Sequence, residues 1–319
     1  MIKTEKLMQM TIPTPYPVGD VHVYLVKGDT LSLIDAGVRT DEAWDIFKNQ
    51  LKGFGYLPED IEQVILTHHH PDHTGFVDRF DCAHGIYGHK RNQPWLRRDE
   101  TFLENYLHFF QQLYRDFGIP NEFKSFQYSL KGTLKYGGIG ELTGFLQEHD
   151  TLPGHPDWQV IETPGHARSH LSFYNGKDKS LLAGDHVLAH ISPNPLLEPP
   201  DEQHLPRPKP LLEHREALKK LLPYEIDAVY AGHGPIFHGV QDIIHKRLQK
   251  QEARADKVYH LLQDKPLTVY ETTKKLFPTK YQSQLGLTLS ETVGQLDYLE
   301  SIGKVNISKE EDAYVYTAN

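Results

Sequence analysis

The chain has 319 residues, one cysteine and a formal charge of −9. A single cysteine rules out an intrachain disulfide, and no apolar run approaches the ~20 residues of a membrane span. Met1 to Met10 mixes Lys3, Glu5 and Lys6 with short apolar runs and lacks the apolar core of a signal peptide, so a cytoplasmic protein with room for two domains is expected.

Val64-Ile65-Leu66 reads as a short buried strand, and directly after it comes Thr67-His68-His69-His70-Pro71-Asp72-His73-Thr74-Gly75. Pro71 and Gly75 break regular structure, so this His-x-His-x-Asp-His run lies on a loop at a strand's end. His68 and His70, two residues apart, point the same way on an extended backbone and suit one metal ion, while Asp72 and His73 face a second position. Imidazole nitrogen and carboxylate oxygen are what Zn²⁺ and other borderline divalent ions accept, with no thiol needed. His69 projects away from its neighbours, toward the surface or a supporting contact rather than an ion.

Residues 95–117 read as a helix whose broad apolar stripe includes Leu96, Phe102, Tyr106, Phe110, Leu113 and Phe117. Tyr136-Gly137-Gly138-Ile139-Gly140 lacks the strand-turn-helix setting of a phosphate loop and reads as a turn. Three further strands each end in a glycine-flanked loop carrying another ligand type. Trp158–Thr163 precedes Pro164-Gly165-His166, Ser180–Ala183 precedes Gly184-Asp185-His186, and Ile226–Tyr230 precedes Ala231-Gly232-His233. Glycine lets the backbone turn sharply and approach an ion closely. His170 and His186 are placed either to hydrogen-bond these groups and fix their orientation or simply to pack. Between them and the last strand, His190 to Pro210 contains seven prolines and is stiff and extended, a cleft wall or a connector.

Residues 240–263 read as one long helix. Two shorter helices follow, about 268–277 and 289–302, then a hairpin through Lys304–Ile307 and Ala313–Tyr316. Helix, helix and two-stranded wing resemble a winged helix. From residue 264 onward six Lys and Arg face eight Asp and Glu, and the would-be recognition helix carries Glu291, Asp297 and Glu300 with no basic residue. A DNA-reading helix needs the opposite sign, so packing or homodimer formation is favoured over nucleic acid. The basic run Lys246, Arg247, Lys250, Arg254, Lys257 on the long helix is diluted by Asp242, Glu252 and Asp256 and reads as a solvated face.

Five signature segments, opening with the hairpin Val21–Gly37 and continuing through the four ligand-bearing loops in order to about residue 240, resemble the metallo-β-lactamase-fold hydrolases, specifically the β-lactamase-like branch with a C-terminal winged helix. The resemblance implies an α/β fold: a four-layer αββα sandwich over residues 1–240 with a helical insert near 90–150, then a connecting helix and winged-helix domain over 241–319. It also implies that His68, His70 and His166 bind one metal, that Asp72, His73 and His233 bind the other, and that Asp185 bridges both. Asp35, ending a hydrophobic strand, resembles a structural aspartate that anchors the ligand loops. True β-lactamases of this fold usually carry cysteine where Asp185 stands, and flavodiiron oxidoreductases glutamate where His70 stands. Hydrolysis of something other than an antibiotic is therefore implied.

Two divalent ions held there, Zn²⁺ by ligand type, would lower the pKa of a shared water from about 15.7 toward 7 and so supply a metal-bridged hydroxide, with Asp72 expected to double as ligand and proton acceptor. The acidic surface and aromatic insert favour a small acyl ester or thioester. A single-stranded RNA endonuclease is the alternative, and a non-catalytic binding or regulatory module the weakest reading.

Overall fold

The computed structural model describes residues 6–82, 84–123, 130 and 132–319. The first residues of the amino-terminal run, and residues 124–129 and 131 of the expected insert, lie outside the described residues.

Two sheets face one another. The first joins β1 (Lys6–Ile12), β2 (Val21–Lys27), β3 (Leu31–Ile34), β4 (Gln63–Ile65), β5 (Gly85–Gly88) and β6 (Gly144–Phe145) in chain order, antiparallel up to β3 and parallel beyond it. The second runs in reverse, from β11 (Ala228–Ala231) through β10 (Ser180–Gly184), β9 (Leu171–Asn175) and β8 (His155–Glu162) to β7 (Thr151–Leu152), parallel only between β10 and β11. Strand alternation sorts the side chains. Tyr24, Val26, Ile34, Trp158, Val160, Phe173 and Leu182 fill the space between the sheets. Val23, Leu25, Leu31 and Leu33 turn to the opposite face of the first sheet.

That outer face is covered by α1 (Asp41–Gly53), which starts at the Thr40 cap and buries Ala43, Phe47 and Leu51. The single turn α2 (Pro71–Thr74) follows β4. The expected helix over 95–117 is two helices, α3 (Gln93–Leu96) and α4 (Glu100–Asp116). The break falls where Arg98 takes φ 54° and the Asp99 carboxylate accepts from Phe102 N at 2.8 Å, starting a new helix. On the second sheet, α5 (Pro210–Leu221) buries Leu218 and Leu221 and the first half of α6 (Val240–Asp264) buries Val240, Ile244 and Leu248. The order helix, sheet, sheet, helix is the four-layer sandwich.

The second half of α6 belongs to a separate core with Phe110, Leu113 and Tyr114 of α4, α7 (Val269–Leu276) and α8 (Leu285–Ser301). Beyond them β12 (Leu267–Thr268), β14 (Ala313–Ala318) and β13 (Val305–Glu310) form a small antiparallel sheet. α8 is covered on most of its circumference by α5, α6 and α7, and its three acidic residues are taken: Glu291 by Arg254, Asp297 by Arg207 and Glu300 by Lys209. Arg247 is not part of a solvated face. It is buried and donates to the Leu188 and Ile191 carbonyls, which tie the proline-rich segment to α6. Among the described residues no helix is long and apolar enough to cross a membrane.

Candidate metal centre

Four loops at one edge of the sandwich bring all the expected ligand residues together. His68 and His70 lie between β4 and α2, Asp72 and His73 on α2, His166 between β8 and β9, Asp185 just past β10 and His233 just past β11. The edge is pinned where Val21 bridges His233 across the two sheets and His22 N donates to Gly232 O at 2.7 Å. His68 Nε2 and His70 Nδ1 lie 2.9 Å apart, and His166 Nε2 lies 3.0 Å from the same Nδ1. On the other side, His233 Nε2 is 3.5 Å from Asp72 Oδ2. The Asp185 carboxylate stands between the two groups, one oxygen 3.5 Å from His73 and the other 3.5 Å from both His166 and His233.

The nitrogens facing away are held in place. His73 Nδ1 donates to Asp35 Oδ2 at 2.7 Å, His166 Nδ1 to the Asn194 carbonyl at 3.0 Å, and His233 Nδ1 to the Asp20 carbonyl at 2.7 Å. With Nδ1 as the donor in each, Nε2 is the nitrogen that faces inward, and the neutral ring with its proton on Nδ1 is the tautomer a metal ligand needs. Asp35 also accepts from Thr67 N and Thr67 Oγ1, so one buried carboxylate orients both His73 and the loop that carries His68. His170 supports the site through Asp185, whose amide donates to its Nε2 at 3.0 Å. His186 does not: it packs edge-on against His214, and among the described residues neither ring nitrogen has a hydrogen-bond partner. His69 is neither ligand nor surface. It stacks on Trp95 at 4.5 Å with the planes 4° apart, and its Nδ1 meets Ser169 Oγ at 2.8 Å.

The charges divide the centre. Burial, with neighbouring imidazoles adding to it, holds His68 and His70 well below their usual pKa, and burial lowers His166 as well. At His73 and His233 burial pulls the same way, but the Asp185 carboxylate outweighs it. His73 is raised well above its usual value and His233 to about 10. Burial pushes Asp185 up, yet His233 and His73 hold it well below the carboxylate range. Burial thus favours the neutral forms of His68, His70 and His166, while the Asp185 carboxylate favours the protonated forms of His73 and His233.

Two observations show that this donor set fits divalent metal ions. His73 Nε2, Asp185 Oδ1 and His233 Nε2 are buried without a hydrogen-bond partner among the described residues, a costly state that an ion would relieve. At Gly232 a Cβ would stand 2.2 Å from Asp185 Oδ1 and 2.8 Å from His73 Cε1, so glycine keeps this cradle open. Three groups each have ligand atoms mutually within 4.8 Å: His68, His70 and His166; His68, His73 and Asp185; Asp72, His73 and His233.

The centre opens on a cavity of about 860 Å³. Its walls come from α3, α4, the Gly137-Gly138 turn, the proline-rich segment and the amino end of α8. The proline-rich segment is thus a cleft wall as well as a connector. Tyr16 lines the cavity beside Asp72, its hydroxyl buried with no hydrogen-bond partner among the described residues. Neither Tyr16 nor residues 282–287 carried a local signal in the sequence. Pro193-Asn194-Pro195 did, as a stiffened backbone that could offer a fixed carbonyl.

The family model described as "Metallo-beta-lactamase superfamily" matches residues 16–233. The chain is 39% identical over 298 residues, 93% of each chain, to "Probable metallo-hydrolase YqjP" of Bacillus subtilis (strain 168). It is 25% identical over 179 residues to "Hydroxyacylglutathione hydrolase" of Bdellovibrio bacteriovorus, covering 54% of this chain and 49% of that one. Among solved structures, a metallo-beta-lactamase family protein from Thermus thermophilus, TTHA1429, superposes with a TM-score of 0.80 at 28% identity over 98% of both chains.

Proposed function

The chain belongs to the metallo-beta-lactamase superfamily as a metallo-hydrolase, and we propose that it cleaves an acyl ester or thioester at a pair of divalent ions, zinc first among them. His68, His70 and His166 hold one ion, Asp72, His73 and His233 the other, and Asp185 lies between both. When bound, such ions supply hydroxide from water at neutral pH and polarise the scissile carbonyl. Residues 1–240 form the catalytic unit, and the winged helix over 241–319 packs on it within a cytoplasmic enzyme.

One observation carries this reading: seven ligand groups converge and five of them, His70, Asp72, His166, Asp185 and His233, line an apolar cavity whose one arginine among the described residues is already engaged by main-chain carbonyls. Beyond the ions themselves, a polynucleotide's phosphates would find no free Lys or Arg there among the described residues, whereas a neutral acyl group needs none. The relative named a hydroxyacylglutathione hydrolase acts, by that name, on an acyl compound.

Asp72 points one oxygen at His233, and the other accepts the proton of the attacking water. The water oxygen bonds to the acyl carbon, the bond to the leaving oxygen or sulfur breaks, and the proton passes from Asp72 to that leaving atom. The unpartnered Tyr16 hydroxyl donates to a substrate oxygen. His170 and Asp35 keep Asp185 and His73 in place throughout.

The test is a panel of esters, thioesters and labelled single-stranded RNA, with Asp185→Ala as background control. Acyl hydrolysis that disappears with a chelator and in the variant is expected. RNA cleavage without acyl hydrolysis would overturn the reading.

A further inference from the structure

We infer that the acyl group accepted here is a long aliphatic chain, lying in the cavity between α4 and the amino end of α8. This rests on the hydrolase reading above and adds the substrate class.

Size is the first argument. About 860 Å³ lies near the upper end of small-molecule sites, and a two- or three-carbon acyl group at the ligand residues would leave most of it unfilled. The wall is the second. Trp95, Leu96, Phe110, Leu188, Leu197 and Leu285 line it, contributed by α3, α4, the loop after Asp185, the proline-rich segment and α8.

Charge is the third. Arg98 is the one Lys or Arg on the described wall, and its guanidinium donates to the carbonyls of Leu134, Gly137 and Gly138. The wall also holds a buried carboxyl, Glu198, whose Oε1 accepts from Arg168 N at 2.8 Å. Among the described residues an anionic tail would meet a carboxyl and no available Lys or Arg, whereas a methylene chain loses nothing there.

The rim agrees with the interior. Ile191 and Leu287, 40% and 45% exposed, border the cavity, and Asn194 Nδ2 donates to Leu287 O at 2.8 Å, joining the two rim segments. The same Asn194 holds His166 through its carbonyl, so the apolar rim abuts the ligand residues.

Two measurements test this. The first is kcat/KM of the metal-loaded protein on p-nitrophenyl esters of two, four, eight and twelve carbons, for wild type, Leu287→Glu at the exposed rim and Leu196→Trp in the wall. The second is calorimetric binding of neutral 1-alkanols from butanol to decanol to metal-free protein, which needs no turnover. Both quantities are expected to climb about two- to fourfold per methylene. The losses in both variants should grow with chain length. Alkanol affinity independent of length, with the two-carbon or an arylacetyl ester preferred, would overturn the chain assignment and leave the hydrolase standing. Alkanol affinity that climbs while no ester or thioester is cleaved would support the cavity assignment and overturn the hydrolase reading.

Discussion

The Asn194 carbonyl accepts from His166 Nδ1 at 3.0 Å, and Pro193 and Pro195 on either side stiffen the backbone that presents it. A ring of the metal centre is thereby held by a segment that the Asn194 side chain also ties to α8. Asn194→Ala keeps the carbonyl and removes the tie. KM is expected to rise about two- to tenfold, the worth of one hydrogen bond, with metal content retained. Steady-state kinetics alongside elemental analysis checks this.

Asp35 joins His73 and Thr67 through one buried carboxylate. Asp35→Asn preserves shape but weakens the acceptor that fixes the His73 tautomer. Metal affinity should fall about 10- to 100-fold. Competition with a chromogenic chelator reads it, and an unchanged affinity would show that His73 needs no such support.

Gly232→Ala would place a methyl group 2.2 Å from Asp185 Oδ1. If two ions bind as proposed, the one at Asp72, His73 and His233 should be lost before the one at His68, His70 and His166. Elemental analysis of the purified variant is expected to show metal content falling toward half that of wild type.

The pH dependence has a defined sign. In metal-free protein His73 and His233 are raised above the ordinary value near 6.5, so both carry protons at neutral pH that an entering ion must displace. Metal binding should release protons, and affinity should rise with pH toward about 10, the value for His233. Calorimetry in buffers of different ionisation enthalpy counts them. A raised folded-state pKa also means that this contribution to stability is complete below about 6.5 and is lost as pH climbs through about 10. Melting temperature in chelator should therefore decline across that window, other groups held equal.

Asp297, 2% exposed, accepts from both terminal nitrogens of Arg207 at 2.9 and 2.5 Å. Asp297→Ala strands a mostly buried guanidinium between the proline-rich segment and α8. The cost is expected near 3 kcal/mol, the low end for breaking a buried pair. Denaturant unfolding measures it, and a shift under about 0.5 kcal/mol, as at ordinary exposed pairs, would mean that solvent already screens this one.

The candidate ligand residues that the fold brings together are legible in the sequence because their signal is local. His68, His70, Asp72 and His73 share one short loop, and His166, Asp185 and His233 each follow a glycine at a strand's end. The acidity of α8 is equally plain from Glu291, Asp297 and Glu300, and its pairing with Arg254, Arg207 and Lys209 gives that acidity a packing role. What the sequence determined by itself was thus the set of candidate donor groups, the strand ends that carry them and the absence of a basic face on α8.

Only the tertiary structure decided how those groups are held and what lies beside them. The carbonyls of Asn194 and Asp20 orient His166 and His233, and a main-chain oxygen leaves no trace in residue type. Arg98 breaks the helix at a positive φ that a non-glycine residue does not announce, and Arg247 turns inward to two carbonyls on a helix whose charges looked solvated. The cavity joins Trp95, Leu197 and Leu285, contributed by segments far apart in the chain. Donor chemistry belongs to individual side chains and can be read one residue at a time; the shape of a cavity belongs to surfaces that exist only once distant segments have packed.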